Sequence, residues 1–342
     1  MSHALKFDRT GPPADVLQWM PHTCPPPAHG QVKVRMEASP INPSDEAFIR
    51  GQYGTAPVLP QIPGFEGVGR VVASGGGFKG RLFTDKRVAV LNAAGGNWAS
   101  ETVVPASQVI PLSPRLSTEQ AATFFVNPAT ALLLTRDVLP LKPGDWLLQT
   151  AAGSCLGQMV VRLGQRFGFR TLSVVRSEHQ VAPLRQLGGD RVVVFDAAHD
   201  PAQRLQSLVT EATGGEPVLY AMDPVGGPTG SAVLSCLGRG SRFVAFGTLS
   251  DEPLSFSGRQ LMTQQTTMQG FWLGHHMATR SLPFKLKLIR QLTRLVLDGT
   301  LATTIHDSIG LKDVPAACAA KDHATDPSSA GRTLIRMATN SG

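Results

Sequence analysis

The chain has 342 residues, of which 42% are hydrophobic and 17% charged; this excludes a disordered chain and, at roughly 150 residues per domain, points to two domains. Its four cysteines, Cys24, Cys155, Cys236 and Cys318, stand far apart, which excludes a CxxC zinc module or a dense disulfide framework and fits a reducing, cytoplasmic setting. The net charge of +7 invites an acidic ligand or nucleic acid, while no apolar run suits a membrane span and Met1–Thr10 lacks the apolar segment of a secretory signal.

Residues 1–118 read as all-β. Alternating runs such as 32–36 and 68–73 sit between breaks at Pro25-Pro26-Pro27 and Gly75-Gly76-Gly77. Ser117, with Gln120 three residues on, marks a helix start, and the apolar run through Leu134 suits one buried helix. From 146 onward, apolar strands are predicted at 146–151, 171–175, 192–195, 218–222, 242–246 and 268–273. Helices are predicted at 157–167, 181–187, 201–213 and 230–237. Such alternation argues for a parallel sheet covered on both faces. Strand-like pieces return after 300, notably 332–337. The expectation is an α/β fold: a Rossmann-type doubly wound parallel sheet (119–299) inserted in a β-rich domain (1–118, completed by 300–342). Ala338–Gly342 is expected to fray.

The first strand of that sheet runs into Ala152-Gly153-Ser154-Cys155-Leu156-Gly157 and then an apolar helix. Against GxGxxG, small residues replace two of the three glycines. A strand, a small-residue turn and a helix start nevertheless form an anion site for a pyrophosphate, with Ala152, Gly153, Ser154 and Gly157 as its residues. About 20 residues on, where an acid would bond the ribose of NAD, Arg176 and Ser177 follow Val175. A guanidinium grips a 2′-phosphate, which favours NADPH; the alternative for Arg176 is a solvated loop position, and Glu178 opposes a phosphate. Turns at Asp223–Gly227 (Gly226) and at Gly247-Thr248 fall at strand ends on the same rim, or are ordinary turn chemistry. Cys155 has no evident base and reads as a small loop residue.

The chain resembles the medium-chain dehydrogenase/reductase superfamily over nearly its whole length. The resemblance rests on Ile41-Asn42-Pro43-Ser44-Asp45, Pro63-Gly64-Phe65-Glu66-Gly67-Val68-Gly69 and Asn127-Pro128-Ala129-Thr130-Ala131, in the order and spacing of zinc-independent members. It implies a GroES-like β domain around a Rossmann domain. Zinc alcohol dehydrogenases carry Cys or His ligands near Asn42, Phe65 and Asn127, and none stands there, so no metal is expected. The pair His275-His276 is placed in a loop or on an aqueous face.

Gly51-Gln52-Tyr53-Gly54 and Gly270-Phe271-Trp272-Leu273 are similar to segments of trans-2-enoyl thioester reductases; simple quinone reductases carry a similarly placed tyrosine. The resemblance implies Tyr53 as hydrogen-bond donor and acid, Trp272 and Asn42 in the substrate pocket, and Thr130 and Phe271 near the nicotinamide. Phe65 stands where that group has Asn. Asp45 lines the pocket or braces its own turn, and Tyr220 belongs to a core strand. The basic amphipathic stretch 284–297 is read as a solvated face on a packed helix. The expected function is reduction of an enoyl thioester by NADPH, with quinone as the alternative substrate. Expected partners are a small-molecule substrate and a second copy of the chain, paired through the 242–246 and 268–273 edge, with no membrane. A non-enzymatic RNA-binding relative ranks below, because no nucleic-acid motif is present.

Overall fold

The computed structural model describes residues 2–322 and 331–337; the expected fraying of Ala338–Gly342 lies outside them. Fifteen strands are present among these residues. They are β1 (His3–Lys6), β2 (Gln18–Pro21), β3 (Gln31–Pro40), β4 (Glu66–Ser74), β5 (Arg87–Leu91), β6 (Glu101–Pro105), β7 (Val109–Pro111), β8 (Trp146–Gln149), β9 (Arg170–Val175), β10 (Arg191–Val194), β11 (Val218–Asp223), β12 (Leu237–Ala245), β13 (Thr267–Gly270), β14 (Ile305–Gly310) and β15 (Arg332–Arg336). The chain forms two compact units, Met1–Val126 with Thr303–Gly342, and Asn127–Ala302.

The first unit is built on a sheet of order β14-β15-β3-β4-β5-β7, with β6 also paired to β3. Alternation drives it: Val32, Val34 and Met36 of β3 point into a core shared with Val71, Val88, Val90, Phe48 and Ile49. The tail strand β15 pairs antiparallel with β3, Leu334 opposite Pro40. The expectation of a purely β first segment is corrected by helices at Pro13–Val16, Pro43–Arg50 and Phe78–Phe83. The second has a legible start and stop. Asn42 stands at its N-cap, Pro43 opens it, Asp45 and Glu46 occupy the first turn, Arg50 the last, and Gly51 ends it at φ 76°.

The expected single helix through Leu134 is broken into Thr118–Ala122 and Val126–Leu133. Pro128 supplies no N–H and excludes helix across the preceding turn. The Phe125 and Val126 amides donate instead to Glu66 Oε1, at 2.7 and 2.8 Å.

The second unit holds six parallel strands in the order β10-β9-β8-β11-β12-β13. The order reverses between β8 and β11, and such sheets bind ligands at the carboxyl ends beside that reversal. Two expected edges shift. β12 begins at Leu237, where a helix was expected to end, and the helix there is Gly227–Ser235. β13 stops at Gly270, and Trp272 caps a short helix, Leu273–Ala278.

Trp98 is fully buried in the first core, its Nε1 donating to the Pro40 carbonyl at 3.4 Å. Trp98→Ala should lower stability by about 3–5 kcal/mol; denaturant unfolding followed by circular dichroism measures this, and a loss under 1 kcal/mol would contradict this packing.

Candidate active site

In the second unit, β8 is followed by Thr150 and Ala151, the latter with φ 48°, and the chain turns into the helix Cys155–Phe167. Ser154 caps that helix, its Oγ accepting from the Gly157 amide at 3.2 Å. A Cβ on Gly157 would lie 2.4 Å from the Ala152 carbonyl oxygen, so only glycine lets the helix approach the strand this closely. Buried Gln149 ties the arrangement together, donating to the Gly157 carbonyl at 3.2 Å and the Ser173 hydroxyl at 3.1 Å. Ala152, Gly153, Ser154 and Gly157 thus form one turn at a helix N-terminus, where a phosphate is favoured.

Across the strand-order reversal, Asp223 organises the β11 loop. Its carboxylate accepts from the Thr150 hydroxyl and from the Val225 and Gly226 amides, the latter two at 3.0 and 2.8 Å. Burial pushes its pKa up, against these three bonds. The next loop is laid on this one: the Leu249 amide donates to the Pro224 carbonyl at 3.0 Å and the Ser250 amide to the Val225 carbonyl at 2.8 Å, which sets Gly247 against Pro224. Arg176 and Ser177 leave the end of β9, the first exposed and the second half-buried. Beyond β13, Phe271 is buried, its amide bonded to the Ala245 carbonyl at 2.8 Å, and Trp272 is 36% exposed. The predicted residues 152–157, 176–177, 226, 247–248 and 271–272 therefore share the carboxyl edge of one sheet. Thr130 is buried on the helix Val126–Leu133.

His276 does not lie on an aqueous face. Its Nε2 is 3.0 Å from Asp137 Oδ2, a carboxylate that Arg280 also engages, and its ring lies 5.1 Å from Phe271. His275 is exposed against Trp272, centroids 4.9 Å apart.

In the first unit, Asn42 and Tyr53 flank the helix Pro43–Arg50, so roughly 12 Å of helix separates them. Tyr53 is half-buried, its ring 5.1 Å from Phe65 and 6.4 Å from Phe48. Asp45 braces its own turn: it accepts from the Asn42 amide at 2.8 Å and from the Phe65 amide at 2.9 Å. Sequence reasoning assigned no role to Glu66, which is buried beside this turn. Burial pushes both Asp45 and Glu66 up to about 7, opposed in each case by backbone amides and by Arg332. Asn42 also holds Glu66 down, although its buried Nδ2 forms no hydrogen bond of ordinary geometry among the described residues. Among the described residues no group of three His, Cys, Asp or Glu side chains is placed to hold a metal ion.

Residues 28–114 match the family model of the alcohol dehydrogenase GroES-like domain, and residues 155–288 match that of zinc-binding dehydrogenases. The mitochondrial enoyl-[acyl-carrier-protein] reductase of Homo sapiens is 32% identical over 318 residues, 92% of this chain and 84% of that protein. Its counterpart in Schizosaccharomyces pombe is 30% identical over 92% of this chain and 88% of that protein. Among solved structures, a putative NADPH:quinone reductase from Bacillus thuringiensis superposes with a TM-score of 0.88 at 31% identity, over 98% of both chains. The quinone oxidoreductase of Escherichia coli, solved with NADPH, shares the fold with a TM-score of 0.85 at 24% identity, over 98% of this chain and 100% of that one.

Asp45 and Glu66 bind protons more tightly when folded, at about 7, than as free carboxyls near 4. Their stabilising contribution is therefore complete below about pH 4 and lost as pH rises through about 7. Glu66→Gln, which keeps an acceptor and removes the charge, should flatten the fall of Tm between pH 5 and 8 in calorimetry. An equally steep fall in the variant would place its origin elsewhere.

Proposed function

The chain belongs to the medium-chain dehydrogenase/reductase superfamily, in its zinc-independent branch, and from that premise we propose that it is an NADPH-dependent reductase of an activated carbon–carbon double bond carried by a trans-2-enoyl thioester. The observation that carries the substrate is the identity of 30% or more with enoyl-[acyl-carrier-protein] reductases along almost the whole chain.

The second unit fits a dinucleotide on its own geometry. The approach that only Gly157 permits brings a helix N-terminus to the end of β8, and the Asp223-braced loop closes the other side of the strand reversal. Arg176 and Ser177 would hold the 2′-phosphate, residues 152–157 the pyrophosphate, and Gly226, Gly247 and Thr248 the rim. Thr130, Phe271 and Trp272 would lie toward the nicotinamide and substrate. When bound, the reduced nicotinamide supplies hydride to Cβ. Tyr53 would donate a hydrogen bond to the thioester oxygen, where negative charge develops, and deliver the proton to Cα. Its aromatic contacts with Phe48 and Phe65 fix the ring from which the hydroxyl is presented. Asn42 would orient a polar group of substrate or ribose.

A second reading, NADPH:quinone reduction, rests on the 31% identity to the Bacillus thuringiensis protein. Turnover of crotonyl-coenzyme A with NADPH, followed by loss of reduced-nicotinamide absorbance, is expected. Turnover of quinones alone would select the second reading. Tyr53→Phe should cut thioester turnover roughly 100-fold without weakening NADPH binding, and unchanged turnover would remove Tyr53 from the acid role.

We further propose a homodimer paired through β13, which forms an edge of its sheet and is largely exposed. Sedimentation velocity should give twice the chain mass, and a monomer at assay concentration would overturn this.

A further inference from the structure

Two acids stand near Arg176, and only one adjoins it in sequence. Glu178 follows closely and is exposed. The other, Asp196, comes from the next strand. β9 and β10 run parallel with Val175 opposite Val194, and the Phe195 amide donates to the Val175 carbonyl at 2.9 Å. The chain therefore leaves the two strands side by side, Arg176 from one and Asp196 from the other.

Asp196 is held in place. Its Oδ1 accepts from the Ala198 amide at 3.1 Å, and its Oδ2 lies 2.9 Å from His199 Nδ1. Its own amide donates to Asp200 Oδ2 at 3.0 Å, and Asp200 in turn pairs with Arg204 at 3.1 Å. The Ala198 amide, the His199 ring and, behind them, Arg176 hold Asp196 below the usual carboxylate range, so it carries its charge. Arg176 is exposed and makes no hydrogen bond or close ion pair with any described residue. The guanidinium is thus within the field of Asp196 without being clamped by it.

We propose that Asp196 is a specificity-determining residue for the cofactor, moderating the preference for a 2′-phosphate that Arg176 creates. The inference rests on the NADPH reading above. A 2′-phosphate drawn to Arg176 meets the repulsion of a fixed carboxylate one strand away. A ribose 2′-hydroxyl meets an acceptor there instead. The pair therefore narrows the gap between NADPH and NADH. His199, bonded to the same carboxylate, draws it away from Arg176 and from an incoming phosphate.

Calorimetry of the full chain with 2′,5′-ADP and with 5′-AMP separates this from the reading beneath it. Asp196→Asn should tighten 2′,5′-ADP roughly three- to fivefold, the scale of one exposed charge pair, leave 5′-AMP no tighter, and lose this gain in high salt. His199→Ala should shift 2′,5′-ADP the opposite way. A wild type that prefers 2′,5′-ADP, with an Asp196→Asn variant showing the same ratio of affinities, overturns the inference and leaves the NADPH reading standing. A wild type without preference that acquires one in Asp196→Asn supports it. No preference in either protein overturns both the inference and the NADPH reading.

Discussion

The cofactor unit depends on one close approach. The helix Cys155–Phe167 can start against the end of β8 only because position 157 has no Cβ; any side chain would run into the Ala152 backbone. That approach puts the helix N-terminus at the strand reversal. It also explains why the earlier glycines of the GxGxxG pattern can be replaced here. Ala152 is buried and Ser154 serves as cap, so those positions need small residues, whereas the third needs none at all. The weak motif is therefore strong at the one position where backbone meets backbone.

The first unit has a different organising device, a pair of buried carboxyls that satisfy backbone. Asp45 takes the amides of Asn42 and Phe65, and Glu66 those of Phe125 and Val126. Arg332, from the returning tail strand, acts on both and donates to the Ile41 carbonyl at 3.1 Å. Separate stretches of sequence thus converge on one buried polar knot beside the apolar core. Two charges there would be costly, and burial resolves this by making both acids hold their protons near neutrality.

The sequence made the parallel sheet legible because its strands are short apolar runs bounded by turns, and the glycine loops because a dinucleotide crevice needs them at strand ends. What it hid were effects of partners distant in sequence. The break at Thr123–Phe125 depends on Glu66, which takes the amides that a continuous helix would have used. The helix Pro43–Arg50 was overlooked for another reason. Its Asn-Pro start and Gly stop are cap signals, but they stand in a Pro- and Gly-rich region where the same residues also make turns. Phe65, read as a departure, proves to be the ring against which Tyr53 packs. Asp196 reaches Arg176 only through strand pairing, which no local pattern announces.

The net charge follows the same division between global composition and local placement. The helix Leu282–Leu297 carries no acidic residue; Lys287, Arg290 and Arg294 are exposed while Leu288, Leu292, Leu295 and Val296 are buried. Spacings of three and four residues set those cations on one solvated face of a packed helix. Much of the +7 is spread in this way. At the end of β9, by contrast, Arg176 is accompanied by Glu178 two residues on and by Asp196 at the end of the neighbouring strand, so the local balance is not basic. An excess of positive charge over the whole chain accelerates the approach of any anion. On the proposed reading, which nucleotide is retained would be decided at the adjoining ends of β9 and β10, where the Arg176 guanidinium is opposed by the fixed Asp196 carboxylate.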